Sequence, residues 1–306
     1  MKIGLIGLGN MGGAIAERLL KQGVELYVCD LDREACERAR AQGAVICAMP
    51  GDVADRAPTV IGCLPTVRAV EAVLNGPGGV LQGQAISYYV EMSTIGPASA
   101  AQHAEQAEGR CSYIDAAISG GSGAAAAGQL VIMLAGAPDA LAELTPLVDM
   151  LSSRHFVVGD KPGQAQAMKL VNNLLAAANM ANSFEALTLG VAMGLRPETI
   201  VEVVNVSSGQ NTGLVERRVK AILSRRFDSG PKIDLLVKDI DLAFKQAAAI
   251  DFPVGALPSL SGMAELWNRA AANGMGTDDV SALIRLVEDA ANVEVAGTDQ
   301  AEAVDE

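Results

Sequence analysis

Ile3-Gly4-Leu5-Ile6-Gly7-Leu8-Gly9-Asn10-Met11-Gly12 ends an apolar strand and opens a helix, the context in which three spaced glycines cradle a dinucleotide. Gly7 permits a tight turn, Gly9 lets the backbone approach a pyrophosphate, and Gly12 lets helix and strand pack closely. Leu8, Asn10 and Met11 complete the cofactor-binding turn, where the helix N-terminus supplies N–H donors and the positive end of its dipole. A second apolar run, Glu25–Cys29, closes on Asp30, eighteen residues past Gly12. A carboxylate there accepts hydrogen bonds from the adenosine ribose hydroxyls and repels the 2′-phosphate of NADP. Leu31 follows where an NADP enzyme wants a cation, so the unit reads as selective for NAD.

Outward from this unit, short β-branched runs alternate with Ala-rich amphipathic stretches up to about Val158, the pattern of a parallel sheet covered by helices. Further strands are expected at Val45–Cys47, Thr59–Cys63, Ala85–Met92, Ser112–Ala116, Leu130–Leu134 and Phe156–Val158. From Pro162 the character changes. Residues 164–191 form one stretch rich in Ala, Leu and Asn without a proline, and the segments after it keep helical spacing. The fold class is therefore α/β, a Rossmann-type doubly wound N-terminal domain (1–161) plus an all-α C-terminal domain (162–292) joined by a long helix. At about 1.5 Å per residue that helix spans roughly 40 Å, more than one small domain buries, which suggests a homodimer or homotetramer through the helical domain. Residues 293–306 are small and acidic without periodicity and read as a disordered tail.

The 306 residues carry a net charge of −13, which argues against nucleic acid and anionic membrane surfaces as partners, since both require a basic face. A small-molecule substrate fits better. The N-terminal apolar run is too short for a membrane span and lacks a cleavage pattern, so the cytoplasm is the expected compartment. Five cysteines form an odd set without a C-x-x-C pair and read as reduced, structural thiols. No His or Cys cluster suggests a metal site. The two histidines, His103 and His155, sit in no motif and read as surface residues.

Four more stretches follow in order: Glu91-Met92-Ser93-Thr94-Ile95-Gly96-Pro97, Asp115-Ala116-Ala117-Ile118-Ser119-Gly120-Gly121, Gly163 through Lys169 to Asn172-Asn173, and Lys238-Asp239. With the glycine turn, these make residues 1 to about 290 resemble the β-hydroxyacid dehydrogenase family, which includes 3-hydroxyisobutyrate dehydrogenase and tartronate semialdehyde reductase. The resemblance implies Lys169 as catalytic acid–base and Ser119, Gly120, Gly121 and Asn173 as substrate-binding residues. It also implies Leu64, Pro65, Thr94 and Lys238 beside the nicotinamide half of the cofactor. Three positions depart from the family pattern: Glu91 for Asp, Ala117 for Pro, and Ala165 for Gly.

Taken alone, Lys169 reads as a solvated helix lysine, Ser119-Gly120-Gly121 as a flexible turn, and Thr94 as a cap for a helix opening at Pro97. Lys238, four residues after Asp234, reads as half of a solvated ion pair. Asn172 and Asn173 weigh against the bland reading of Lys169, because Asn is a poor helix former and Asn173 lies one turn from the lysine on the same face. Oxidation of a hydroxyl requires a base for its proton, and a lysine serves if its pKa is lowered by burial or a nearby cation. The expected function is an NAD-dependent oxidoreductase that interconverts a small 3-hydroxy acid and its semialdehyde in a cleft between domains. Two rivals are an imine reductase of the same fold, which the resemblance implies would replace the lysine, and a non-catalytic NAD-binding module. Which hydroxy acid is used stays open at this level.

Overall fold

The computed structural model describes residues 1–297, which pack as two compact units, the first ending at Lys169 and the second beginning at Leu170. In the first unit the chain runs β1 (Lys2–Ile6), α1 (Asn10–Lys21), β2 (Glu25–Cys29), α2 (Arg33–Ala41), β3 (Val45–Ile46), α3 (Pro50–Ala54), β4 (Thr59–Gly62) and α4 (Val67–Asn75). It continues β5 (Tyr88–Glu91), α5 (Pro97–Ala107), β6 (Ser112–Ser119), α6 (Gly121–Ala127), β7 (Leu130–Ala135), α7 (Pro138–Leu151) and β8 (Ser152–Gly159). Helix α8 (Gln164–Ala192) leaves the sheet, and the second unit adds α9 (Pro197–Asn205), α10 (Glu216–Leu223), α11 (Ile233–Ala249), α12 (Pro258–Ala270) and α13 (Ile284–Ala291).

The sheet has the order β3-β2-β1-β4-β5-β6-β7-β8, with β1 to β6 parallel. Both faces of these strands are buried, so they read as continuous apolar runs. Ile3, Leu5 and Ile61 join the core beneath α1, α2 and α7, while Ile6 and Val60 join the one beneath α3, α4 and α5. The sheet departs from the expected all-parallel form at β7, which is antiparallel to β6. The reason is chain length: a parallel crossover needs a dozen or more residues, and only Gly120 to Gln129 separate the two strands. The longer connection through α7 then restores a parallel pair between β7 and β8. Strand β6 also extends to Ser119, past the expected end at Ala116, because β7 pairs with its last residues.

The second unit is helical around Trp267, Phe184, Ile233 and Ile240, all buried. Trp267 spends its indole N–H on the Ala177 carbonyl, 3.3 Å away, so the tryptophan buries no unsatisfied donor. Two expectations are corrected. His103 is buried rather than on the surface, with Nε2 2.8 Å from the Glu71 carboxylate, because its ring fills the space between α5 and α4. The segment expected as a tail from residue 293 begins as packed chain: Val295 is fully buried, its N–H bonds Glu288 (2.8 Å), and Gly297 donates to the Leu223 carbonyl (2.9 Å). The rest of that expected tail, 298–306, lies outside the described residues.

Candidate active site

Five strand ends along one edge of the first unit carry most of the expected site. Gly7 turns the chain after β1 at a φ of +95°, and a Cβ on it would lie 2.2 Å from the Cys63 carbonyl oxygen. At Gly12 a Cβ would lie 1.8 Å from the Gly7 carbonyl oxygen, so only glycine permits this crossing of α1 over the turn. A Cβ on Gly9, in contrast, meets nothing within 4 Å. That open space faces the first turn of α1, where Gly9 caps without any side-chain hydrogen bond and no acidic residue competes for the dipole. These residues fit a pyrophosphate. Asp30, at the end of β2, accepts the Leu8 N–H on Oδ2 and the Asp32 N–H (2.8 Å) on Oδ1. Each oxygen keeps a lone pair for a ribose hydroxyl. Leu31 is fully exposed.

Leu64 and Pro65 follow β4, and the Leu64 N–H donates to Ser93 Oγ at 2.8 Å, which ties the β4 end to the β5 end. Thr94 lies three residues before the start of α5 and is not its cap; the capping position belongs to Gly96, whose φ of +82° suits glycine. Ser119 is the last residue of β6, and Gly120 and Gly121 turn the chain with φ values of +135° and +80°. Beyond them the Ala-rich segment forms helix α6.

A buried polar group lies behind these strand ends. The Asp115 carboxylate on β6 accepts the N–H groups of Gly163 (2.8 Å) and Gln166 (3.1 Å), taking up open donors at the start of α8. This explains why the first turn of α8 packs with the sheet and the compact division falls after Lys169. The Gln166 carboxamide bonds Ser93, Ile95, Gly96 and Asp115. Burial raises the Asp115 carboxyl above its ordinary value, against the opposing effect of these donors. Glu91, at the end of β5, is fully buried, and burial pushes its carboxyl up to about 8 although Ser93 and Tyr89 donate to it. Its longer side chain and the Tyr89 ring fill the space over Gly62, where a Cβ would lie 2.0 Å from the Tyr89 hydroxyl oxygen.

Lys169 is half-buried in α8, one turn before Asn173. In the second unit, Asn173 donates from Nδ2 to Asp239 Oδ2 (2.5 Å) and accepts from Asn172 Nδ2 (3.1 Å). Lys238 Nζ lies 3.1 Å from Asp239 Oδ1. The expected solvated pair of Lys238 with Asp234 is thus corrected: Lys238 is half-buried and pairs with Asp239, because α11 turns this face toward Asn173. Gln166, Asp115, Ser93 and Asp239 were not singled out from the residues. Buried polar groups carry no periodic signal, and Gln on a helix is ordinarily exposed. Among the described residues no group of three or more His, Cys, Asp or Glu side chains is placed to hold a metal ion, and no helix is long and apolar enough to cross a membrane.

Comparison with known proteins agrees with this fold. A profile for the NAD binding domain of 6-phosphogluconate dehydrogenase matches residues 2–159, and one for the NAD-binding of NADP-dependent 3-hydroxyisobutyrate dehydrogenase matches 163–287. The chain is 38% identical to the 2-(hydroxymethyl)glutarate dehydrogenase of Eubacterium barkeri, over 97% of this chain and 98% of that one. It is 36% identical to the NAD-dependent L-serine dehydrogenase of Pseudomonas aeruginosa, over 84% and 89% of the two chains. The 3-hydroxyisobutyrate dehydrogenase of Mycobacterium tuberculosis, solved with L-serine, superposes with a TM-score of 0.84 at 26% identity, covering 94% of this chain and 98% of that one. A Streptomyces aurantiacus imine reductase is more distant, with a TM-score of 0.64 and 20% identity over 94% and 99%, a likeness of fold alone. The glycine turn, the strand-end loops and the full-length match together make this chain a member of the β-hydroxyacid dehydrogenase family, an NAD-dependent oxidoreductase acting on the CH–OH group of a small hydroxy acid.

Proposed function

We infer that the protein oxidises a small 3-hydroxy acid to its semialdehyde, and reduces it in the reverse direction, with Lys169 as general acid–base. The observation that carries this reading is the placement of Lys169 one turn past Gln166, whose side chain bonds the loop bearing Thr94. When bound, NAD supplies the hydride acceptor. Lys169 Nζ takes the hydroxyl proton and returns it in the reverse reaction. Ser119 and the backbone N–H groups of Gly120 and Gly121 hold the carboxylate, and the second N–H of the Asn173 amide orients the hydroxy group. Leu64, Pro65 and Thr94 border the nicotinamide half of the cofactor, and Lys238 pairs with Asp239, the carboxylate that holds Asn173. The names of the relatives support candidates with a carboxylate near a primary alcohol, such as 2-(hydroxymethyl)glutarate, 3-hydroxyisobutyrate and L-serine. A panel of such acids assayed for NAD reduction tests the reading; absence of turnover with every member overturns it.

Asp30 with the exposed Leu31 supports NAD over NADP. The expected result is a larger kcat/KM with NAD; a larger value with NADP counts against the role of Asp30. A homodimer or homotetramer is supported by Val171, Leu175 and Leu189, exposed apolar residues within one narrow face of α8, and by exposed Met193 just past its end. Light scattering is expected to give a multimer of the 31.5 kDa chain, and a monomer overturns this reading. The five unpaired cysteines suit the cytoplasm.

A further inference from the structure

We propose that Gln166 is a positioning residue for the reaction, its buried carboxamide holding the Thr94 loop and the first turn of the Lys169 helix in one frame. Gln166 is fully buried, and its amide makes every bond available to it. Oε1 accepts the N–H groups of Ile95 (2.9 Å) and Gly96 (3.1 Å), while Nε2 donates to the Ser93 carbonyl (3.1 Å) and Asp115 Oδ1 (3.0 Å). Turned over, the amide would set its NH2 against two N–H donors and its oxygen against a carbonyl and a carboxylate. Only one orientation is compatible with burial.

The partners explain what that orientation does. Ser93 and Ile95 are the two neighbours of Thr94, so Gln166 brackets that residue by its backbone on both sides. Ser93 Oγ accepts the Leu64 N–H, which carries the same frame to the end of β4. Asp115 lies four residues before Ser119 on β6 and also binds the Gln166 backbone N–H (3.1 Å). Lys169 follows three residues later in α8, about 4.5 Å along the helix axis. A shift of about 1 Å in such a frame costs on the order of a hundredfold in rate, because proton and hydride donors must be placed together. The proposal rests on Lys169 being the acid–base and Thr94 lying beside the nicotinamide.

The test is Gln166→Glu, with turnover expressed per NADH-binding site so that misfolded protein is not counted. At pH 8 to 9 the new carboxylate sets an oxygen against Asp115 and the Ser93 carbonyl. There kcat is expected to fall roughly 10- to 100-fold, with the NADH dissociation constant changed less than about threefold. On lowering the pH toward 6 the carboxyl gains a proton, regains one of the two donors, and the deficit relative to wild type narrows. Gln166→Met, which has no donor to regain, is expected to show the kcat deficit without the narrowing, and it carries the kcat test if the Glu variant does not fold. A kcat per site within twofold of wild type at all pH values overturns the proposal, as does failure of both variants to fold, which would mark a purely structural role. Lys169→Ala is assayed beside them. Surviving turnover there overturns the acid–base reading itself, whereas an inactive Lys169→Ala beside a fully active Gln166→Glu overturns the positioning role alone.

Discussion

Lys169→Ala is expected to lower kcat by roughly 10²- to 10⁴-fold, the range spanned by loss of a general acid–base. NAD binding is expected to stay near wild type, because the residues proposed to meet the adenosine and pyrophosphate, Gly7 to Gly12 and Asp30, lie at strand ends distant in sequence from α8. The combination separates the assignment from a general loss of fold, since a collapsed first unit would lose NAD binding with turnover. Neither histidine offers a substitute base: His103 is buried against Glu71, and His155 is exposed on β8 beside Asp149. The check is steady-state kinetics on the purified variant with NADH titrated by fluorescence. A kcat within tenfold of wild type would remove Lys169 from the chemistry.

Glu91→Gln is expected to stabilise the protein at alkaline pH by a few kcal/mol and to leave it nearly unchanged near pH 5. The sign follows from the direction of the shift. Burial raises the folded carboxyl from an ordinary 4.5 to about 8. Between those values the folded state holds a proton that the unfolded state has released, so stability falls as pH rises through this window and levels off above pH 8. Each unit of difference is worth about 1.4 kcal/mol. The amide cannot ionise, and its oxygen still accepts from Ser93 while its NH2 meets the Tyr89 oxygen. Urea unfolding of both proteins from pH 5 to 9 gives the comparison, in which all other titrating groups cancel. Parallel pH profiles for wild type and variant would show that Glu91 is not held neutral.

Local chemistry made much of this protein legible in its sequence. The glycine turn could be assigned because each glycine answers a constraint set within a few residues: a positive φ at Gly7, open space at Gly9, a backbone crossing at Gly12. The buried parallel strands were legible as apolar runs, and α8 as an uninterrupted helical stretch. The ordered family motifs added the loops at the strand ends.

What the sequence alone determined, then, was a cofactor class and the residues that form each loop, since both follow from short-range sterics and hydrogen-bonding capacity. Tertiary structure alone decided the burial of His103 and Val295 and the orientation of the Gln166 amide. These depend on partners distant in the chain: Gln166 bonds residues seventy or more positions earlier at Ser93, Ile95 and Gly96. A polar side chain carries no mark in the sequence of whether water or another strand will satisfy it. The glycines have little freedom to be anything else, whereas the role of Gln166 exists only once β5, β6 and α8 have met.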